Sequence, residues 1–458
     1  MSLPDPNTRE EIYLRNIGDG EGTVPDPVTR KERYLYKIAT GDGDIPDDPH
    51  TREEIYLEAI AENEGGGTAI NGAVEITVEA MADLLKGDTI RIVSGAGTIT
   101  PEASPETLPT GNGYGCAFNH DGTRLAVAYS ASPYITIYDT TTTPYTKLSN
   151  PSTLPTGNGY GCAFNHDGTR LAVAYSASPY ITVYDTTTTP YTKLTHNTLW
   201  LAGIGRGCAW NSDGTRLAVA HDSSPYITIF DTTTTPYTKL TNPSTLPTGN
   251  GYGCAFNHDG TRLAVAHSTS PYITIYDTTT TPYTKLTNPS TLPIDTSRGC
   301  AWNSDGTRLA VAHIQSPYIT IYDTTTTPYT KLTDPSTLPT GGGRDCAWNS
   351  DGTRLAVGHY TSPYITIYDT TTTPYTKLTD PSTLPAGTGL ACAWNSNGTR
   401  LAVGHDGSPY INTYSVIVGT SLAYAANNLL SGLAGSYGVI QEDVVTGNTG
   451  QALEVFTV

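Results

Sequence analysis

The chain has 458 residues and a formal net charge of −18, with 25 Lys and Arg against 43 Asp and Glu, and only 15% of its residues are charged. The carboxylate excess argues against nucleic acid, whose phosphates need Lys and Arg, while the length allows two or three domains and a large buried core. Met1 to Asp5 lack a basic start and an apolar run, so neither a secretory signal nor membrane insertion is expected. The chain reads as one made in a cytoplasm.

Residues 1–64 carry three related peptides: Pro6 to Leu14, Pro27 to Leu35 and Pro49 to Leu57. In each, Thr is followed three residues later by Glu, the capping box that starts a helix, which predicts helix starts at Thr8, Thr29 and Thr51. Helices of about ten residues are marginal in water unless an apolar face is docked. Tyr13, Leu14 and Ile17, Tyr34, Leu35 and Ile38, and Tyr56, Leu57 and Ile60 would supply that face. The peptides read either as linear docking segments for a multivalent partner or as a helical collar on this protein or its own copies.

Glu62 to Gly67 reads as a flexible joint. Beyond it, residues 73–78 and 88–93 look like strands with a short helical turn over 80–85, and 437–440 and 452–458 are two further strand candidates near the end of the chain. Neither flank can make a sound core alone. Residues 65–104 and 416–458 are therefore expected to form one small β-rich base domain.

Between them lies a repeat. Cys116, Cys162, Cys208, Cys254, Cys300, Cys346 and Cys392 are each 46 residues apart, and every copy holds four short apolar runs separated by turn residues. In the first copy the predicted strands are Cys116 to Asn119, Arg124 to Tyr129, Tyr134 to Tyr138 and Tyr145 to Leu148, with Asp121-Gly122 as a hairpin turn. Four strands per copy is the sequence form of a propeller blade, so residues 105–415 predict seven blades. The first strand carries small Cys and Ala residues that suit the crowded centre of a ring. The cysteines read as small buried residues rather than disulfide partners. The seventh copy lacks the fourth-strand pattern, whereas Thr98 to Thr100 sit one period ahead of the first copy's fourth strand. Residues 98–100 are thus expected to close the ring. The competitor is Ser421 to Tyr424.

In an antiparallel meander, the loops joining strands one to two and three to four share one end. That end is nearly constant from copy to copy. The other end varies, in two-to-three loops beginning at Tyr129, Tyr175, His221, His267, His313, His359 and His405 and in loops between blades. Variation on one face of a copied ring fits a recognition surface, although neutral drift of copied loops would look alike. The residue two before each cysteine is expected around the channel mouth: Tyr114, Tyr160, Arg206, Tyr252, Arg298, Arg344 and Leu390, with Trp200 and Tyr360 nearby. Tyr and Arg give large contact areas with polar tips. Equivalent histidines around a ring diverge too far to share one ion, so no metal and no cofactor is expected. No nucleophile elbow, phosphate loop or zinc spacing points to an enzyme.

The seven copies resemble WD-repeat and related seven-bladed propellers, through Asn-Ser-Asp-Gly-Thr-Arg-Leu-Ala-Val-Ala and Tyr-Ile-Thr-Ile-Tyr-Asp. They lack the Gly-His dipeptide, and Tyr138-Asp139 stands in place of Trp-Asp, so the family's buried hydrogen-bond network is not expected. The front peptides are similar to N-terminal segments of tailed-bacteriophage head-fibre and other virion appendage proteins. Lys86 to Ile92, Gly438 to Asp443 and Gly447 to Val455 are similar to phage capsid-decoration domains. The expected fold class is all-β: a seven-bladed β-propeller inserted into a small β-rich base domain, preceded by short helical docking peptides. The resemblance implies a non-enzymatic virion protein. Its expected partners are a capsid or other virion protein through residues 1–64, a host-surface glycan or protein through the propeller, and further copies of itself, a trimer among the arrangements. A lectin-like or scaffolding bacterial propeller and a polysaccharide-acting propeller enzyme are the competing readings.

Overall fold

The computed structural model describes residues 89–94, 98–194, 201–417, 420–425, 436–439 and 455–456. The predicted helices of residues 1–64, the strand over 73–78 and the turn over 80–85 lie outside the described residues. No helix occurs among the described residues. Contacts divide the chain into one unit of Ala96–Gly419 and another of Met1–Gly95 with Thr420–Val458.

The larger unit is seven four-stranded antiparallel sheets, one per repeat. The first blade comprises Gly113–Phe118, Arg124–Tyr129, Ile135–Asp139 and Thr146–Lys147, so its first strand begins three residues earlier than the alternation suggested. At one end, Gly122 takes a positive φ of 71° in the Asp-Gly turn, and Asp121 Oδ1 accepts from the Thr123 N–H at 2.9 Å. The same turn recurs in every blade.

Second and third strands are buried on both faces, and their large and small side chains alternate. In blade one, Ala126, Ala128, Ile135 and Ile137 pack against Leu171, Val173, Tyr184 and Tyr191 of blade two. The core therefore lies between sheets. Fully burying a Leu or Val stabilises by about 1.5–3 kcal/mol, and small Ala on the facing side lets neighbouring sheets approach. First strands are innermost, as their small residues suggested: a Cβ on Gly115 would lie 2.9 Å from the Cα of Gly161 in the next blade. Each cysteine thiol faces an alanine carbonyl of the preceding blade, Cys162 Sγ lying 3.6 Å from Ala126 O. All seven are free thiols, and burial pushes their pKa up, that of Cys254 to about 12.

The ring closes on itself. Ala391, Ala402 and Ile411 of the seventh copy share a core cluster with Cys116, Leu125, Val127 and Tyr138 of the first. Thr98–Pro101 pairs antiparallel with Ile411–Ile417, from Thr98 opposite Ile417 to Pro101 opposite Tyr414, and supplies the seventh sheet's outer strand. Glu102 ties the joint, with Arg400 Nε of blade seven at 3.1 Å from Oε1 and the Tyr145 hydroxyl of blade one donating to Oε2 at 2.6 Å. Thr420–Ala425, which contains the competing closure candidate, instead pairs with Thr89–Ser94.

That pairing belongs to the smaller unit, a four-stranded antiparallel sheet in the order Thr420–Ala425, Thr89–Ser94, Ser436–Val439, Val455–Phe456.

Polar links repeat from blade to blade. Arg124 pairs with Asp139 at 3.1 Å, and the same ion pair recurs in blades two to six. The Tyr138 hydroxyl donates to Thr107 O at 2.8 Å, fastening a third strand to the connection that precedes its blade.

Candidate functional site

Every blade has a β-bulge at the start of its inner strand. In blade one, Gly113 pairs with Tyr129 and Gly115 with Ala128, leaving Tyr114 as the extra residue. The same shift places Tyr160, Arg206, Tyr252, Arg298, Arg344 and Leu390 as the extra residues of the other blades. A bulge bends its strand and re-aims a side chain. These are the seven residues that the sequence placed at the channel mouth, and all are half-buried.

A close approach and a positive φ fix the bulge. A Cβ on Gly159 would collide with the Tyr134 carbonyl of the preceding blade. Tyr134 itself takes a positive φ of 67°, as do its six counterparts, an uncommon conformation for a bulky residue. Six blades keep glycine at the Gly159 position; the fifth has Ser297, which is buried with its hydroxyl unpartnered.

The bulge side chains meet across neighbouring blades. Tyr114 and Tyr160 have ring centroids 5.1 Å apart, and the Arg206 guanidinium lies 4.5 Å from the Tyr160 ring centre. Arg298 lies 4.0 Å over Tyr252, and Arg344 lies 5.0 Å over Tyr360 while donating to its hydroxyl at 2.9 Å. Such stacking holds a guanidinium plane and is worth about 0.5–2 kcal/mol. Arg206 also pairs with Asp222 at 3.3 Å. Burial and the nearby charge of Arg298 pull the Arg344 pKa down, against the opposing influence of Tyr360 and Tyr114. Leu390 is the apolar member of the ring. Trp200 lies outside the described residues, as do the docking residues Tyr13, Leu14, Ile17, Tyr34, Leu35, Ile38, Tyr56, Leu57 and Ile60.

The variable connections share this end. The Ser130 N–H donates to Asn112 O at 3.1 Å and the Tyr360 N–H to Gly342 O at 3.1 Å, so each interblade loop runs beside a two-to-three loop. Ile294 and Tyr360 are exposed at 58% and 43%. At the constant end, Thr140 N–H donates to Thr123 O at 3.0 Å, joining the other two turns.

One part of the loop reading needs correction. Tyr129, Tyr175 and the five histidines are the last residues of second strands, not loop residues, and are at most 1% exposed. His221 Nε2 lies 3.0 Å from Thr228 Oγ1, the place that Tyr129 and Thr136 fill in blade one at 2.9 Å. Burial pushes the five histidines down to about 4. They are interior spacers and cannot touch a ligand. Among the described residues, no group of three or more His, Cys, Asp or Glu side chains could hold a metal ion.

Asp345, which stands out in the sequence as a lone acidic variant near the channel, replaces the inner-strand glycine of five other blades, accepts the Cys392 N–H at 3.0 Å, and is pushed up to about 6 by burial. One feature escaped sequence reasoning. At the constant end, a cavity of about 340 Å³ opens where inner strands finish, lined in part by Phe118, His120, Phe164, His166 and Trp394. The His120 and His166 rings, tilted at 45° with centroids 4.0 Å apart, sit in it. It required residues from five blades to converge, which no single copy reveals.

Seven closed sheets with their inner strands around one axis define a seven-bladed β-propeller. Solved structures agree with that class. The chain is similar to Kuenenia stuttgartiensis hydrazine synthase, at 15% identity over 69% of this chain and 98% of that one with a TM-score of 0.56. It is likewise similar to a chain of a mitotic checkpoint complex, at 15% identity over 71% of this chain and 95% of that one with a TM-score of 0.52. Likeness at this identity concerns the fold. No protein-family model and no curated protein sequence matches the chain.

Proposed function

We propose that this chain is a non-enzymatic structural protein of a bacteriophage virion, of head-fibre or capsid-decoration type, whose propeller binds a host-surface glycan or protein. The observation that carries the binding role is the ring of bulge residues: one backbone device, repeated in every blade, presents mainly Tyr and Arg at the mouth where the variable connections also gather. Large aromatic and guanidinium side chains of this kind dominate recognition surfaces.

The virion assignment draws its support from the three Thr-Arg peptides of residues 1–64 and from the flanking segments, through their resemblance to virion appendage proteins. In this reading residues 1–64 grip a capsid or other virion protein, the flanks seat the chain, and copies of it associate on the particle. The test is assembly. Full-length chain and a chain lacking residues 1–64 are supplied to particles lacking it, and the particles are sedimented. Full-length chain is expected in the particle fraction and the truncated chain in the supernatant. Full-length chain remaining soluble beside purified particles would refute the virion role.

A further inference from the structure

The chain is strongly acidic overall, at −18, yet three of the seven bulge residues at the propeller mouth are arginines. Three guanidinium groups stand there, and their neutralisation is uneven. Arg206 has Asp222 at 3.3 Å. Arg344 directs its Nη1 to the Tyr360 hydroxyl at 2.9 Å, with the carboxyl of Asp345 one residue further along the strand, where it is occupied with the Cys392 N–H. Arg298 stacks on Tyr252 at 4.0 Å and has no carboxylate in ion-pair range among the described residues; its buried Nε has no hydrogen-bond partner. Arg298 and Arg344 occupy equivalent bulges of adjacent blades; burial above all, and then the charge of Arg298, lowers the Arg344 pKa.

Two half-buried like charges on adjacent bulges gain when an anion joins them. A planar guanidinium already oriented by a stacked ring loses little freedom when it forms a two-pronged bond to a carboxylate or sulfate. The Tyr114 and Tyr160 pair, on blades one and two of the same ring of bulges, adds an apolar face with polar tips. Resting on the reading of the mouth as the recognition surface, we infer that its ligand is an acidic saccharide, whose carboxylate or sulfate group binds between Arg298 and Arg344 while its rings lie on Tyr114 and Tyr160.

The test uses the full chain and three probes: an oligogalacturonate, a heparin-derived sulfated oligosaccharide, and a neutral maltooligosaccharide, measured by calorimetry at low and raised salt. At least one acidic probe is expected to bind, weakening as salt rises, and the two acidic arms separate carboxylate from sulfate. Arg298→Leu and Arg344→Leu are expected to weaken it by about ten-fold or more each. Leucine is suited to this bulge because blade seven carries Leu390 there; Arg298→Lys, which keeps the charge but loses the fork, covers a folding failure and should weaken binding by less. Neutral saccharide bound as tightly as acidic, lost in Tyr160→Ala but unchanged in Arg298→Leu, would overturn the acidic ligand and leave the mouth as the binding face. Acidic binding unaffected by any of these substitutions would overturn both. Failure of all three probes to bind would overturn the acidic-saccharide inference.

Discussion

His267 shows how one interior residue couples this fold to pH. It is buried beside Thr274 with Nε2 3.0 Å from Oγ1, and burial holds it neutral down to about 4 against an ordinary value of 6.5. Between those values the unfolded chain binds a proton that the folded chain does not, so stability falls as pH drops through that window. At pH 5 the penalty is on the order of 1–2 kcal/mol for each such residue. His267→Tyr is expected to fold normally, since Tyr129 and Tyr175 fill the equivalent sites and make the same hydroxyl contact to threonine. Thermal melts from pH 7 to pH 4.5 should show a smaller loss of Tm in the variant than in the parent. Equal losses would mean that the histidine is not held neutral. The residue type was visible in the sequence, but its burial was not. His221, His267, His313, His359 and His405 lie where strand turns to loop, and only the register of each second strand decides which side of that boundary they fall on.

At the scale of elements, the closing strand is the joint on which the ring depends. Ile99 is 8% exposed and packs in one cluster with Leu401, Val403 and Val416. Ile99→Ala is expected to destabilise the propeller by about 2–4 kcal/mol, as truncation of a core isoleucine does elsewhere. Glu102→Ala should cost about 1–3 kcal/mol by stranding Arg400 and the Tyr145 hydroxyl. Denaturant midpoints measure both; a midpoint unchanged in each variant would show that the circle holds without this latch. The latch was legible because it follows from counting: one copy lacks an outer strand and the chain ahead of the first copy has a spare one. The bulge was not legible. Gly-Tyr-Gly-Cys reads as simple alternation, and the extra residue becomes apparent only when Gly113 is paired with Tyr129 and Gly115 with Ala128. These seven positions were nevertheless singled out, by their variation between copies.

For the whole molecule, constant spacing carried the fold. Seven equal copies without insertion left a closed disc as the arrangement that hides every sheet edge. It also separated a constant face from a variable one, since parity alone assigns loops to ends. Spacing could not reveal what emerges only when copies converge. The cavity at the constant end and the pairing of Tyr160 with Arg206 each combine side chains from separate blades. The central claim is that recognition happens at the bulge mouth and not at the opposite opening. Binding of purified chain to host cells measures this directly, comparing the parent with two variants: Arg206→Leu with Arg298→Leu and Arg344→Leu at the mouth, and His120→Ser with His166→Ser at the other end. Serine already occupies that position in blade three, as Ser212. The account predicts that the mouth variant loses cell binding by about ten-fold or more while the opposite variant matches the parent. Binding that survives the mouth substitutions, or that disappears with the two histidines, would contradict it.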